Sequence, residues 1–137
     1  MAESARRHFW LGVGAYLLPT FPLGYLWHLV IFASAYYELA MYRNDVIIPL
    51  GLASMIVQAV IFSWLYPRVF PERDGSVLVR GLLYGLGMAA LSWSFTTLAV
   101  AAKNVMISVP TYLALETAFT LIQFAIVGPL IALAHRH

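Results

Sequence analysis

The chain contains no cysteine, so disulfides, cysteine-ligated zinc, iron–sulfur clusters and thiol catalysis are all excluded. Charged residues are scarce as well. They make up 10% of the 137 residues, whereas 62% are hydrophobic. Soluble domains average about 25% charged residues, so most of this surface must face lipid. The net charge is +2, but the basic residues stand at the ends of apolar stretches and indicate membrane topology rather than nucleic-acid binding.

The common catalytic signatures are missing too. The sequence has no HExxH pair, no phosphate-binding glycine loop with its lysine and no GxSxG serine. Zinc hydrolysis, nucleotide binding and the commonest serine chemistry therefore lack their usual residues. His8, His135 and His137 stand at the chain ends, which leaves His28 as the single candidate axial ligand for a haem. An enzyme is not favoured, and the sequence assigns no cofactor.

Four stretches are long and apolar enough to cross a bilayer as helices, which takes roughly 20 residues each. They cover residues 9–37, 46–66, 77–102 and 109–134. The connections between them are short, so consecutive helices must pack antiparallel. The sequence therefore predicts an all-α membrane protein with one domain, an up-down-up-down four-helix transmembrane bundle.

The basic residues predict how this bundle is oriented. If the N-terminus is cytoplasmic, six basic residues lie on that side, and Arg43 and Lys103 lie outside. Because cytoplasmic loops are enriched in Lys and Arg, we expect both termini in the cytoplasm and the protein in a bacterial inner membrane. The six cytoplasmic residues are Arg6, Arg7, Arg68, Arg73, Arg80 and Arg136.

The first span, residues 9–37, is longer than a bilayer requires, because a helix of that length extends about 43 Å. It must tilt, bend or break. Pro19 and Pro22 each remove a backbone donor and predict a kink in a single helix. In the alternative, Thr20 caps a new helix and residues 9–18 form a separate segment.

Small and polar side chains identify the helix faces that point into the bundle, because these residues mediate helix association in lipid. Residues at spacings of three and four place one set of polar side chains inward. The members are His28, Ser54, Gln58, Ser92, Thr96, Glu116, Thr120 and Gln123. Ser, Thr and Gln at such positions often serve only to hold helices together, whereas an ionisable residue within the membrane indicates function.

His28 and Glu116 should lie at the same depth, about 10–14 Å below the outer surface at 1.5 Å per residue. An unpaired buried carboxylate costs several kcal/mol, so Glu116 should pair with His28 or stay protonated. We expect a His–Glu pair in the outer half of the bundle, either functional or purely structural. Glu38 and Lys103 form a second predicted pair at the outer mouth.

Three functions are compatible with this pattern. The first is pH-sensitive binding or transport of a small solute by a polar intramembrane pocket, because histidine changes charge between about pH 5 and 8. Because four helices enclose little room, transport would need a dimer, and the Gly81/Gly85 face is a candidate contact for it. The second function is an accessory or assembly subunit of a larger membrane complex. The third is an enzyme for a lipid or quinone headgroup at the outer surface, where Glu38, Arg43, Asn44, Asp45, Lys103 and Asn104 gather.

Overall fold

The computed structural model describes residues 1–72 and 74–136, so Arg73 and His137 lie outside the described residues. The described residues form α-helices and two single π-helical turns, and no strand occurs among them. In chain order the elements are α1 (Ala2–Leu26), a first π turn (Trp27–Ile31), α2 (Ala33–Glu38), α3 (Ile48–Val69), α4 (Val77–Trp93), a second π turn (Ser94–Leu98), α5 (Ala99–Lys103) and α6 (Val109–Ala134).

Four helical stretches are long and apolar enough to cross a membrane by length and composition. They are Ala2–Ile31, Ile48–Val69, Val77–Lys103 and Val109–Ala134. Two of them begin at the predicted residue because a serine caps each helix. The hydroxyl of Ser76 accepts from the backbone N–H of Val79 at 3.4 Å, and that of Ser108 accepts from Thr111 at 3.3 Å.

The first span breaks at a different place from the one its prolines suggest. Helix α1 continues through Pro19 and Pro22, so the alternative in which Thr20 caps a new helix is wrong. The regular helix instead gives way to the first π turn, where the N–H of Phe32 bonds to the carbonyl of Trp27 at 3.0 Å. A π turn takes in one extra residue, and the chain bends at Phe32 before α2 begins.

Helices α4 and α6 pack so closely that their backbones touch through three glycines. A Cβ atom at Gly81 would overlap Pro129, and one at Gly85 would overlap the Phe124 carbonyl. A Cβ at Gly128 would in turn overlap the Gly81 carbonyl oxygen. The Gly81/Gly85 face, which the sequence suggested for a homodimer contact, is therefore covered by α6 of the same chain.

The contacts between the helices are concentrated at one end of the bundle. Helix α6 packs against α1 and α4, and α3 packs against α1. Helices α3 and α4 meet where the Tyr84 hydroxyl donates to the Phe62 carbonyl at 2.7 Å. Near the same end, Ser63 donates to the Phe9 carbonyl at 2.7 Å and contacts His135 at 3.0 Å. All the buried residues of α3 lie in its C-terminal half, from Ala59 to Tyr66, so its N-terminal half diverges from the bundle.

Candidate functional site

His28 and Glu116 are direct neighbours, as the sequence predicted. The Nε2 atom of His28, in the first π turn, lies 2.9 Å from Oε1 of Glu116, in α6. The Glu116 residue is buried, with 9% of its side chain exposed, whereas 26% of the His28 side chain is exposed. The carboxylate is therefore enclosed, and the imidazole reaches an open surface.

The surrounding hydrogen bonds determine where the protons lie. A carbonyl oxygen can only accept, so Nδ1 of His28 donates to the Gly24 carbonyl at 3.0 Å. The Tyr36 hydroxyl accepts from the Trp27 indole at 3.0 Å, and its own proton is donated to Oε1 of Glu116 at 2.5 Å. A nitrogen and an oxygen at 2.9 Å need one proton between them. His28 and Glu116 therefore share a single ionising proton and are neutral as a pair.

Aromatic rings surround this pair. The His28 ring centroid lies 4.7 Å from those of Tyr36 and Phe119, and Tyr36 is itself buried. Tyr42, in the loop after α2, contacts Tyr36 edge-on at 5.2 Å. Burial, helped by the nearby Glu116 carboxylate, raises the pKa of Tyr42 well above its ordinary value, so its phenol stays neutral. We call His28, Glu116, Tyr36 and Trp27 the His–Glu cluster.

A large cleft opens beside the cluster, where α3 diverges from the first span. It has a volume of about 650 Å³. Its walls are mainly apolar and aromatic, and His28 reaches one of them. The residues that line it include Phe21, Tyr25, His28 and Phe119 on one side, Tyr37, Tyr42, Arg43 and Asn44 in the connection, and Ile48, Gly51, Leu52 and Met55 on α3.

The other predicted polar residues do not line this cleft. Gln58 and Gln123 belong to a separate buried network with Tyr16 and Thr20. The Tyr16 hydroxyl donates to Gln58 at 2.5 Å and accepts from Gln123 at 3.2 Å. Gln123 also donates to Thr20 at 3.5 Å. The polar side chains that the sequence placed in one pocket are therefore not gathered there, and Gln58 and Gln123 lie apart from the His–Glu cluster.

The third span corrects the prediction at Thr96. Thr96 is exposed and donates to the Ser92 carbonyl at 2.9 Å, whereas Thr97 is fully buried. The second π turn causes this difference, because its extra residue moves the inward position along the chain by one. Ser92 is half-buried. Thr120 is buried as predicted and borders a smaller groove of about 240 Å³ beside Trp93.

Two further predictions are corrected, one for the Glu38–Lys103 pair and one for Ser54 on α3. Glu38 and Lys103 are both exposed, and the ion pairs among the described residues do not include one between them. The connection before α3 holds an Arg43–Asp45 pair instead, at 3.2 Å. Ser54, predicted to point inward, is exposed and donates to the Gly51 carbonyl one turn earlier at 2.8 Å.

Tyr36, Trp27 and His135 were missed by the sequence analysis. Tyr36 resembles an interfacial aromatic residue in the sequence, and regular helical spacing does not place it on the same face as His28. His135 is buried against Ser63 and stacks on the Tyr66 ring at 5.4 Å, despite its position near the chain end. In the described part of the chain, no three His, Asp or Glu side chains converge as metal ligands.

No family model, curated protein or solved structure matches this chain. Its chemistry must therefore be derived from the site itself. The His–Glu cluster can gain or lose one proton, and the cleft can hold a molecule that is mainly apolar. Both nitrogens of His28 are engaged in hydrogen bonds, so a ligand would meet the exposed edge of the ring.

Proposed function

We propose that this chain is an integral membrane protein that binds a small, mainly apolar molecule in the cleft, in a manner that depends on pH. The cleft itself carries the proposal. Sites for small molecules usually have volumes of about 300–1,000 Å³ and are apolar, with a few polar groups. A cleft of about 650 Å³ with mainly apolar and aromatic walls and His28 on one of them fits this description.

The proposed placement in the membrane follows from the four apolar helices and the charges. We place the protein in a bacterial inner membrane, with the helices alternating in direction and both termini in the cytoplasm. The contacts among Phe9, Ser63 and His135 support a common end for the start of the first span and the ends of the second and fourth. The His–Glu cluster then lies in the outer half, and its cleft opens between two lipid-facing helices.

The pH dependence follows from the single shared proton. Losing it leaves Nε2 of His28 facing Oε1 of Glu116 with two acceptors and no donor, and gaining another gives the cluster a positive charge. Either change alters the polar wall of the cleft. We therefore expect ligand affinity to depend on pH.

A light-activated neutral probe tests the proposal. Benzophenone inserts into nearby C–H bonds on irradiation, and mass spectrometry locates the adducts. With the protein in lipid nanodiscs, we expect saturable labelling of Leu52 and Met55. Gly51→Phe should abolish this labelling, because Gly51 lines the cleft and has open space beside it, so the new ring fills the site without disturbing packing.

Gly87→Phe is the matched control. Gly87 also has open space around it, and it lies on α4 outside the cleft. This variant should be labelled as the wild type is. Adducts spread evenly over lipid-facing residues and unaffected by Gly51→Phe would overturn the proposal. That result would favour the accessory-subunit interpretation, in which the polar residues only stabilise packing.

A further inference from the structure

Aromatic rings form much of the wall of the cleft around His28. Phe21, Tyr25, Tyr36, Tyr37, Tyr42 and Phe119 all line it. The face of an aromatic ring carries partial negative charge. Organic cations bind to such faces, most strongly where water is excluded. An aromatic wall inside a membrane therefore favours a positively charged partner over an anion of the same size.

The fixed charges at the mouth of the cleft cancel. Arg43 is held by both oxygens of Asp45, with Nε at 3.3 Å and Nη2 at 3.2 Å. A changeable charge remains on the wall, at the His28–Glu116 pair. The ionisable groups that face this pair from neighbouring elements are the phenols of Tyr36, Tyr42 and Tyr112, and all three are neutral near pH 7.

The cluster is built to keep its carboxylate when the shared proton leaves. Tyr36 donates to Oε1 of Glu116 and is itself polarised by the Trp27 indole. The Tyr36 hydroxyl does not depend on the shared proton, so Oε1 of Glu116 still accepts a hydrogen bond after that proton has left. Loss of the proton from His28 therefore leaves a neutral imidazole facing the cleft and an anion, still hydrogen-bonded, behind it.

We propose that the ligand is a lipophilic organic cation and that its binding displaces the proton shared by His28 and Glu116 into the solvent. This inference rests on the proposed function of the cleft. The charges balance, because a neutral cluster and a cation become an anionic cluster with a bound cation and one released proton. Cation and proton then both balance the charge of the Glu116 carboxylate, the proton from within the pair and the cation from the cleft, across the His28 ring. An anionic ligand would instead meet ring faces that carry partial negative charge.

Two probes of the same shape and opposite charge test this assignment. Tetraphenylphosphonium and tetraphenylborate each carry four phenyl rings. Titration calorimetry in two buffers of different ionisation enthalpy, at one pH, counts the protons released on binding. We expect tetraphenylphosphonium to bind more tightly and to release about one proton. Its affinity should fall by about tenfold per pH unit on acidification, because linkage between two ligands is reciprocal.

Glu116→Gln keeps the size of the side chain and removes the charge. We expect it to weaken tetraphenylphosphonium binding tenfold or more and to abolish proton release. Glu38→Gln, which changes an exposed carboxylate at the end of α2, should change neither. If Glu116→Gln fails to fold, the wild-type proton count still decides.

Stronger binding of tetraphenylborate, or tetraphenylphosphonium binding without proton release, would overturn the inference. The proposed function fails separately. Labelling by neutral benzophenone that is lost in Gly51→Phe would preserve the binding role of the cleft even if the ligand proved not to be a cation. Absence of that labelling would remove the cleft as a site and this inference with it.

Discussion

Tyr36 is the residue that holds the His–Glu cluster in its observed arrangement. Its hydroxyl joins the Trp27 indole to the Glu116 carboxylate, so a single phenol oxygen serves one donor and one acceptor. While such buried polar groups are paired, each hydrogen bond adds little to the free energy of unfolding, because it replaces a hydrogen bond to water. They cost much more once a partner is removed, because the group left behind stays out of water.

Replacing this hydroxyl should be costly. We expect Tyr36→Phe to lower the free energy of unfolding by about 1–3 kcal/mol, because the Trp27 N–H loses its acceptor and Glu116 loses a donor. Denaturant unfolding of the purified protein in detergent, followed by far-UV circular dichroism, measures the change. Tyr37→Phe is the control, because Tyr37 is the next residue in the chain and is 74% exposed. Equal stability of the two variants would show that the Tyr36 hydrogen bonds contribute nothing measurable.

The second polar network should stabilise the fold without affecting ligand binding. Tyr16→Phe leaves Gln58 without its donor and Gln123 with one acceptor fewer, so we expect a loss of about 1–3 kcal/mol. Benzophenone labelling of the cleft should stay as in the wild type, because neither glutamine lines it. A variant of normal stability with altered labelling would instead place these glutamines in the binding site.

At this scale the sequence predicted one contact and missed the residues around it. His28 and Glu116 were predictable because lipid penalises a lone ionisable group so strongly that two such groups at one depth must turn toward each other. Tyr36 was not, because a tyrosine near the end of a span has two ordinary positions, inside the bundle or at the interface. Its orientation depends on a shift in the helix that the sequence does not reveal.

Two π turns cause that shift among the helical elements. After the first one, Tyr36 and Leu39 are buried, whereas Ala35 and Glu38, at the regular helical spacings of seven and ten residues from His28, are more exposed. Within the second, Thr97 is buried in place of Thr96. Each turn contains one residue more than the α-helical pattern allows, so spacings of three and four fail beyond it. Pro19 and Pro22 lie in a helix that continues through them, as the single-helix interpretation requires.

The close contact between α4 and α6 predicts that a small substitution at Gly128 has a large effect on stability. We expect Gly128→Ala to destabilise the protein by about 3 kcal/mol or more, because its Cβ would overlap backbone atoms of Gly81 and Gly85, which cannot rotate away. Gly87→Ala, on α4, meets open space and should stabilise the helix by about 0.5–1 kcal/mol. Thermal unfolding of both variants measures the difference. A mild effect of Gly128→Ala would contradict the tight helix contact.

Across the whole molecule, one end of the bundle is tightly connected and the other is open. The Phe62 carbonyl, Ser63 and His135 tie the helices together at the first end. At the other end, α3 diverges and the cleft forms beside His28. The four spans were predictable because apolar length alone determines them. The cleft was not, since it depends on the angle between two helices whose lipid-facing surfaces carry no pattern.

The orientation in the membrane can be tested by cysteine labelling of the whole chain. No native cysteine has to be replaced first, because the sequence has none. Single cysteines at the exposed residues Ser4, Asn44, Glu72 and Asn104 each report one end of the bundle. If both termini are cytoplasmic, an impermeant maleimide added to intact spheroplasts should label Asn44→Cys and Asn104→Cys. It should label Ser4→Cys and Glu72→Cys only after detergent opens the membrane. The inverse pattern would put the His–Glu cluster in the cytoplasmic half, and its proton would then exchange with the cytoplasm.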